Sequence, residues 1–153
     1  AHYNLGNAYS DRGFIDKAIE HYQTVLRLKP NFPEAYNNIG MAYFNKGFID
    51  KAMEHYQIAL RLKPDFSEAH NNLGTIYGSL GQLDSAIREF SIAIQLNPNI
   101  AEAHYNIGVA YKDKGLLDKA VEHFEIVLKL KPNDSEAQDN IRRILKERNN
   151  PSF

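Results

Sequence analysis

Between Glu34 and Lys46 apolar side chains recur at Ala35, Ile39, Ala42 and Tyr43, the spacing of one face of a helix. A second stripe follows between Ile49 and Leu62, at Ala52, Met53, Tyr56, Ala59 and Leu60. Gly47 lies between them and is expected to end the first helix in the left-handed conformation. Asp50 opens the second helix and Arg61 and Lys63 close it, which suits the helix dipole at both ends. Pro64 blocks continuation. The pattern therefore predicts two antiparallel helices joined by a tight turn.

The same pattern returns every 34 residues. Pro30, Pro64, Pro98 and Pro132 fall in one column, and Gly6, Gly40, Gly74 and Gly108 in a second. Gly13, Gly47, Gly81 and Gly115 form a third, and Ala18, Ala52, Ala86 and Ala120 a fourth. A repeat this short marks a solenoid, in which each unit buries its apolar face by stacking on its neighbours. The expected fold is all-α, a single solenoid over 1–153 with repeats at about 1–32, 33–66, 67–100 and 101–134. A terminal helix over about 135–148 has Arg142 where the others have glycine, as befits a solubilising cap, and a tail occupies 149–153. Asn31-x-x-Glu34, Asp65-x-x-Glu68, Asn99-x-x-Glu102 and Asn133-x-x-Glu136 read as capping boxes that open the first helix of each unit.

These residues resemble the tetratricopeptide repeat (TPR) pattern of an aromatic, Leu-Gly, Tyr, Ala-x3-Phe and Pro. Tyr36, Ile39-Gly40, Tyr43, Ala52, Tyr56 and Pro64 carry it, as do His70, Leu73-Gly74, Tyr77, Ala86, Phe90 and Pro98. The resemblance covers nearly the whole chain. It departs at the first aromatic, where His2, His70 and His104 stand, a modest change in packing. It implies a right-handed superhelix of helix pairs, with each second-column glycine where two helices cross.

One column is not accounted for by packing. Asn4, Asn38, Asn72, Asn106 and Asn140 never vary, although Asn is unfavourable inside a helix. In similar repeat proteins that face of the first helix lines the concave surface. Five amides there would form a ladder of donors and acceptors able to bond an extended backbone, as in the TPR region of the O-linked N-acetylglucosamine transferase. Adjacent first helices lie roughly 10 Å apart, which an extended peptide spans in about three residues. Asn7, Asn37, Asn71 and Thr75 share the face, and Tyr3, Met41, Phe44, Tyr105 and Val109 add apolar surface, so all are candidate peptide-binding residues. An alternative is that the asparagines bond within or between neighbouring repeats. Glu34, Glu68, Glu102 and Glu136 rim the face. Relatives that grip a free C-terminal carboxylate use inner Lys, Arg and Asn. The matching places here are Tyr3, Asn7, Asn38, Glu68 and Asn72, without a base, so no such clamp is expected.

Composition narrows the rest. With 153 residues, 43% apolar and 11% aromatic, the chain is long enough for a real core. Its 18 basic and 19 acidic residues give no footprint for nucleic acid. Cysteine is absent and no apolar run reaches membrane-spanning length, so no membrane insertion is expected. The start inside a repeat and without Met suggests an excerpt of something longer, and near-identity of "GFIDKAIEHYQ" and "GFIDKAMEHYQ" suggests recent duplication or a consensus design. The compartment is not fixed, the cytoplasm being the default. The six histidines occupy two columns, His2, His70 and His104, expected between helices, and His21, His55 and His123, expected on the outer face. That spread leaves no metal site, and no catalytic constellation or cofactor motif is present. The expected function is non-enzymatic: a scaffold that binds an extended segment of a protein or peptide partner. Two alternatives are self-assembly, with Phe153 offered to a neighbour's groove, and the substrate-recognition arm of a larger enzyme such as a glycosyltransferase.

Overall fold

The computed structural model describes residues 1–149. Within them nine α-helices and no strand are found: α1 (His2–Asp11), α2 (Ile15–Leu28), α3 (Pro33–Asn45), α4 (Ile49–Leu62), α5 (Ser67–Ser79), α6 (Leu83–Leu96), α7 (Ala101–Asp113), α8 (Leu117–Leu130) and α9 (Ser135–Asn149). The fold is an all-α solenoid of helix pairs, and the chain divides into two compact units, Ala1–Ile76 and the part from Tyr77 onward. Phe153 lies outside the described residues.

In the first unit α1 packs on α2, α2 on α3, and α3 on α4. Tyr22, Ala18 and Ile39 form one buried cluster, and Ala59, Phe66 and Ala69 another. In the second unit α7 packs on both α6 and α8, and α8 on α9. Its clusters are Ala86, Phe90 and Ile107, then Ala120, Phe124, Val127, Ala137 and Ile144. Helix α9 gives Ala137 and Ile144 to α8 and keeps its charged residues exposed, as a cap requires.

Gly47 ends α3 as expected. Its φ is 78°, its N–H donates to the Phe44 carbonyl, and the Phe48 N–H reaches back to Tyr43 at 2.9 Å. Both bonds satisfy orphan carbonyls at the helix end. The second-column glycines sit where the paired helices cross. A Cβ at Gly6 would lie 2.6 Å from the Tyr22 ring, one at Gly40 2.7 Å from Tyr56, and one at Gly108 2.9 Å from Phe124.

The capping boxes do not form. Helix α3 is capped by Phe32 and α7 by Ile100, with no side-chain bond at either cap, so Asn31 and Asn99 lie one residue too far out. The reason is packing. Phe32 meets the Tyr3 ring at 5.1 Å and Phe66 is buried, so an apolar residue takes the position before α3, α5 and α7. At α9 the cap is Asp134, whose carboxylate accepts the Ala137 N–H at 3.0 Å, and not Asn133.

Ion pairs recur at a 30-residue offset: Asp16 with Lys46, Asp84 with Lys114, and Asp118 with Arg148. They join the second helix of one pair to the end of the next first helix. All three carboxylates are well exposed, so each pair contributes little. Asp16→Asn is expected to cost at most about 0.5 kcal/mol in urea unfolding, and 1 M salt is expected to abolish the difference.

Candidate functional site

The asparagines of the first helices are joined to each other. In the first unit Asn38 Nδ2 donates to Asn7 Oδ1 at 3.0 Å and to the Tyr3 hydroxyl at 3.2 Å. Tyr22 donates its own hydroxyl to the same Asn7 oxygen at 2.7 Å. One repeat on, Asn72 Nδ2 donates to Asn37 Oδ1 at 2.9 Å. In the second unit Asn140 Nδ2 reaches the Tyr105 hydroxyl at 3.4 Å and the Glu136 carbonyl at 3.0 Å, while Lys112 donates to Asn140 Oδ1 at 2.8 Å. In each case the Asn bonds the residue 35 positions earlier: Tyr3, Asn37 and Tyr105. Asn38, Asn72 and Asn140 are thus inter-repeat ties, and their amides are not idle.

Two expectations change with this geometry. Asn37 and Asn71 are only 7% and 4% exposed, so they lie beneath the face as partners for neighbouring side chains. Helix stacking puts Asn37 at the joint between α3 and α5, where a buried amide needs a bond. Thr75 turns its hydroxyl back to the Asn71 carbonyl at 3.0 Å. Tyr3, Tyr105 and Val109 are half-buried and serve the core. Tyr3 packs on Tyr22 at 5.9 Å, and Tyr105 on Phe124 at 5.6 Å, with Val109 against the same cluster. Burial, followed by the hydrogen bond to Glu136, raises the pKa of the Tyr105 phenol. Asn4 is exposed, Met41 is 37% exposed, and Asn7, Asn38, Phe44, Asn72 and Asn106 are half-buried.

The face of the first unit is therefore a surface of paired carboxamides flanked by a thioether and aromatic edges. Asn38 keeps a lone pair on Oδ1, contacted only by Asn37 at 3.4 Å. No Lys or Arg stands among Tyr3, Asn4, Asn7, Asn37, Asn38, Met41, Phe44, Asn71, Asn72 and Thr75. A cavity of about 730 Å³ in the same unit lies elsewhere, lined by His21, Thr24, Arg27, Ile39 and His55 among others, and by none of the asparagines.

The histidine columns also differ from expectation. His21, His55 and His123 do not face outward; each turns to the first helix of its own pair. His2 and His21 bring their Nδ1 atoms to 3.1 Å, and His104 and His123 to 3.0 Å. His21 stacks on Tyr9, His123 on Tyr111, and His55 lies 5.3 Å from Tyr43. A side chain 19 residues from its partner spans one helical hairpin, a pairing that the 34-residue columns do not display. His70 and His104 each place Nε2 3.0 Å from the carbonyl of the proline six residues earlier, pinning the loop between repeats. Among the described residues no group of three or more His, Cys, Asp or Glu is placed to hold a metal ion.

Comparison with known proteins gives a consistent picture. A family model for the TPR repeat matches residues 6–47, 41–81 and 74–115, and one for the tetratricopeptide repeat matches 101–134. No curated protein matches the chain. Among solved structures, that of MamA is 29% identical, covering 95% of this chain and 85% of that one, with a TM-score of 0.82. YrrB, described as a TPR protein with an unusual peptide-binding site, is 26% identical, covering 97% and 77%, at 0.76. The first TPR of Spaghetti (RPAP3), bound to the HSP90 peptide SRMEEVD, is 26% identical, covering 74% and 90%, at 0.72.

Proposed function

Because this chain belongs to the tetratricopeptide repeat family, we propose that it is a non-catalytic scaffold binding an extended peptide segment of a partner along the carboxamide face. The observation that carries this reading is the linked row Asn7, Asn38, Asn37 and Asn72, which is ordered by its own bonds and still half-open at Asn38 and Asn72. Ordered amides lose little entropy on binding, and Met41 supplies apolar area beside them. YrrB and RPAP3, similar in fold, are described as peptide binders.

The absence of an inner base in the first unit sets this face apart from a carboxylate clamp. The partner is an internal stretch of chain, read through its backbone. Selection of random 16-residue peptides against the whole chain supplies a ligand to test this. Amidating the C-terminus of the tightest peptide is expected to leave its affinity unchanged. Met41→Glu is expected to weaken binding about tenfold with the same thermal midpoint, because Met41 is not part of the core. An unchanged affinity places the site elsewhere.

One observation favours a second reading, self-assembly. Leu5 occupies the column of Ile39 yet is 43% exposed against 1%. A second copy packed on α1 would cover it. Light scattering against concentration tests this, and Leu5→Glu is expected to return any dimer to monomer.

A further inference from the structure

We propose that the Tyr3 hydroxyl is a latch on Asn38 that opens when peptide binds, so that Tyr3 lowers the affinity of the face it borders. This rests on the peptide-binding reading above. A carboxamide nitrogen carries two N–H donors, and Asn38 points one at Asn7 and the other at Tyr3. Only its oxygen is left for a ligand. A peptide unit in an extended chain offers one N–H and one C=O. To be held at both, it needs the Asn38 oxygen and one Asn38 N–H, so one internal bond has to yield.

Geometry selects which. The bond to Asn7 is shorter, at 3.0 Å against 3.2 Å, and the Asn7 oxygen is fixed in turn by the Tyr22 hydroxyl at 2.7 Å. Tyr3 is half-buried, and its ring is held on Tyr22 and Phe32 independently of its hydroxyl. Its hydroxyl can therefore turn from Asn38 to water without disturbing the ring. The second unit differs: Asn140 also turns its nitrogen to a tyrosine hydroxyl, that of Tyr105 at 3.4 Å, but its other acceptor is the Glu136 carbonyl and its oxygen is already taken by Lys112. Asn72 differs, since its acceptor is the carboxamide of Asn37. Within the first unit the tyrosine latch is thus particular to Asn38, while Asn72 is held by an amide.

Removing the latch while keeping the ring is the test. The probe is the tightest selected 16-residue peptide with both termini blocked, titrated calorimetrically into the whole chain. Tyr3→Phe is expected to tighten binding about fivefold, and Asn38→Ala to weaken it. A purely structural role for the hydroxyl gives the opposite sign, because loosening the α1–α3 joint weakens binding. Weaker or unchanged binding by Tyr3→Phe, with Asn38→Ala still harmful, overturns the latch and leaves the peptide reading intact. Indifference to Asn38→Ala overturns the peptide reading and the latch with it. Thermal unfolding of both variants guards against a folding artefact.

Discussion

Gly40→Val is expected to lower the stability of the chain by about 3 kcal/mol, read as a shift in the urea midpoint. A Cβ at position 40 lies 2.7 and 2.8 Å from Cε1 and Cδ1 of Tyr56, well inside contact distance. The Tyr56 ring is almost wholly buried and has no solvent to swing into, so the two helices must part. Overpacking of this kind costs about 1–3 kcal/mol, and the two γ-methyls of valine place it at the upper end. Valine regains a few tenths of a kcal/mol in helix propensity over glycine, too little to offset the clash. Two comparisons isolate the cause. Truncating the ring as Tyr56→Leu is expected to make Gly40→Val less costly than in the parent, a coupling that a double-mutant cycle reads directly. Gly78→Ala is expected to be neutral or to stabilise by about 0.5 kcal/mol, since the nearest atom to its new Cβ is the Ala86 methyl at 4.0 Å.

The second expected result is loss of stability in mild acid, traceable to His123. Burial, and then the neighbouring His104, lower its pKa to about 4. His104 is itself buried and places Nε2 on the Pro98 carbonyl, which only accepts. Its Nδ1 is therefore the acceptor for His123 Nδ1–H, and one proton serves the pair. His123 also stacks on the Tyr111 ring, which supplies no negative charge to balance a cation. The unfolded chain takes up its proton near pH 6.5, the ordinary histidine value, and the folded chain only near 4. Between those values the unfolded state binds more protons, so stability falls as pH drops through this window and is fully present above it. Allowing for the partial exposure of His123, the loss is roughly 2 kcal/mol. Urea unfolding at pH 7, 5.5 and 4 measures it. His123→Gln is expected to flatten the part of the slope above pH 5, where carboxylates contribute little; an unaltered slope would assign the effect to other groups.

How much of this was legible in the sequence differs by residue. The TPR resemblance implied Gly6, Gly40 and Gly108 at helix crossings, the local pattern put Gly47 at a helix end, and the structure bears out both. The capping boxes failed because Asn31 and Glu34 have the right spacing in the wrong register: Phe32 and Phe66 claim the space before the helix by burial. The asparagine column was visible, but the partners of its amides were not.

The sequence alone determined the repeat length, the helix pairs and the polar cap, because each follows from local spacing and side-chain size; the crossing role of the glycines came with the family resemblance. Only the tertiary structure decided where the polar hydrogens go. Across stacked first helices Asn38 meets Tyr3 and Asn7 at offsets of 35 and 31, Asn72 meets Asn37 at 35, and histidines meet across a hairpin at 19. A period in the sequence fixes which residues are equivalent. Which of them touch depends on how packed helices cross, and within each pair Tyr22, Tyr56 and Phe124 pack directly against the glycine of the first helix.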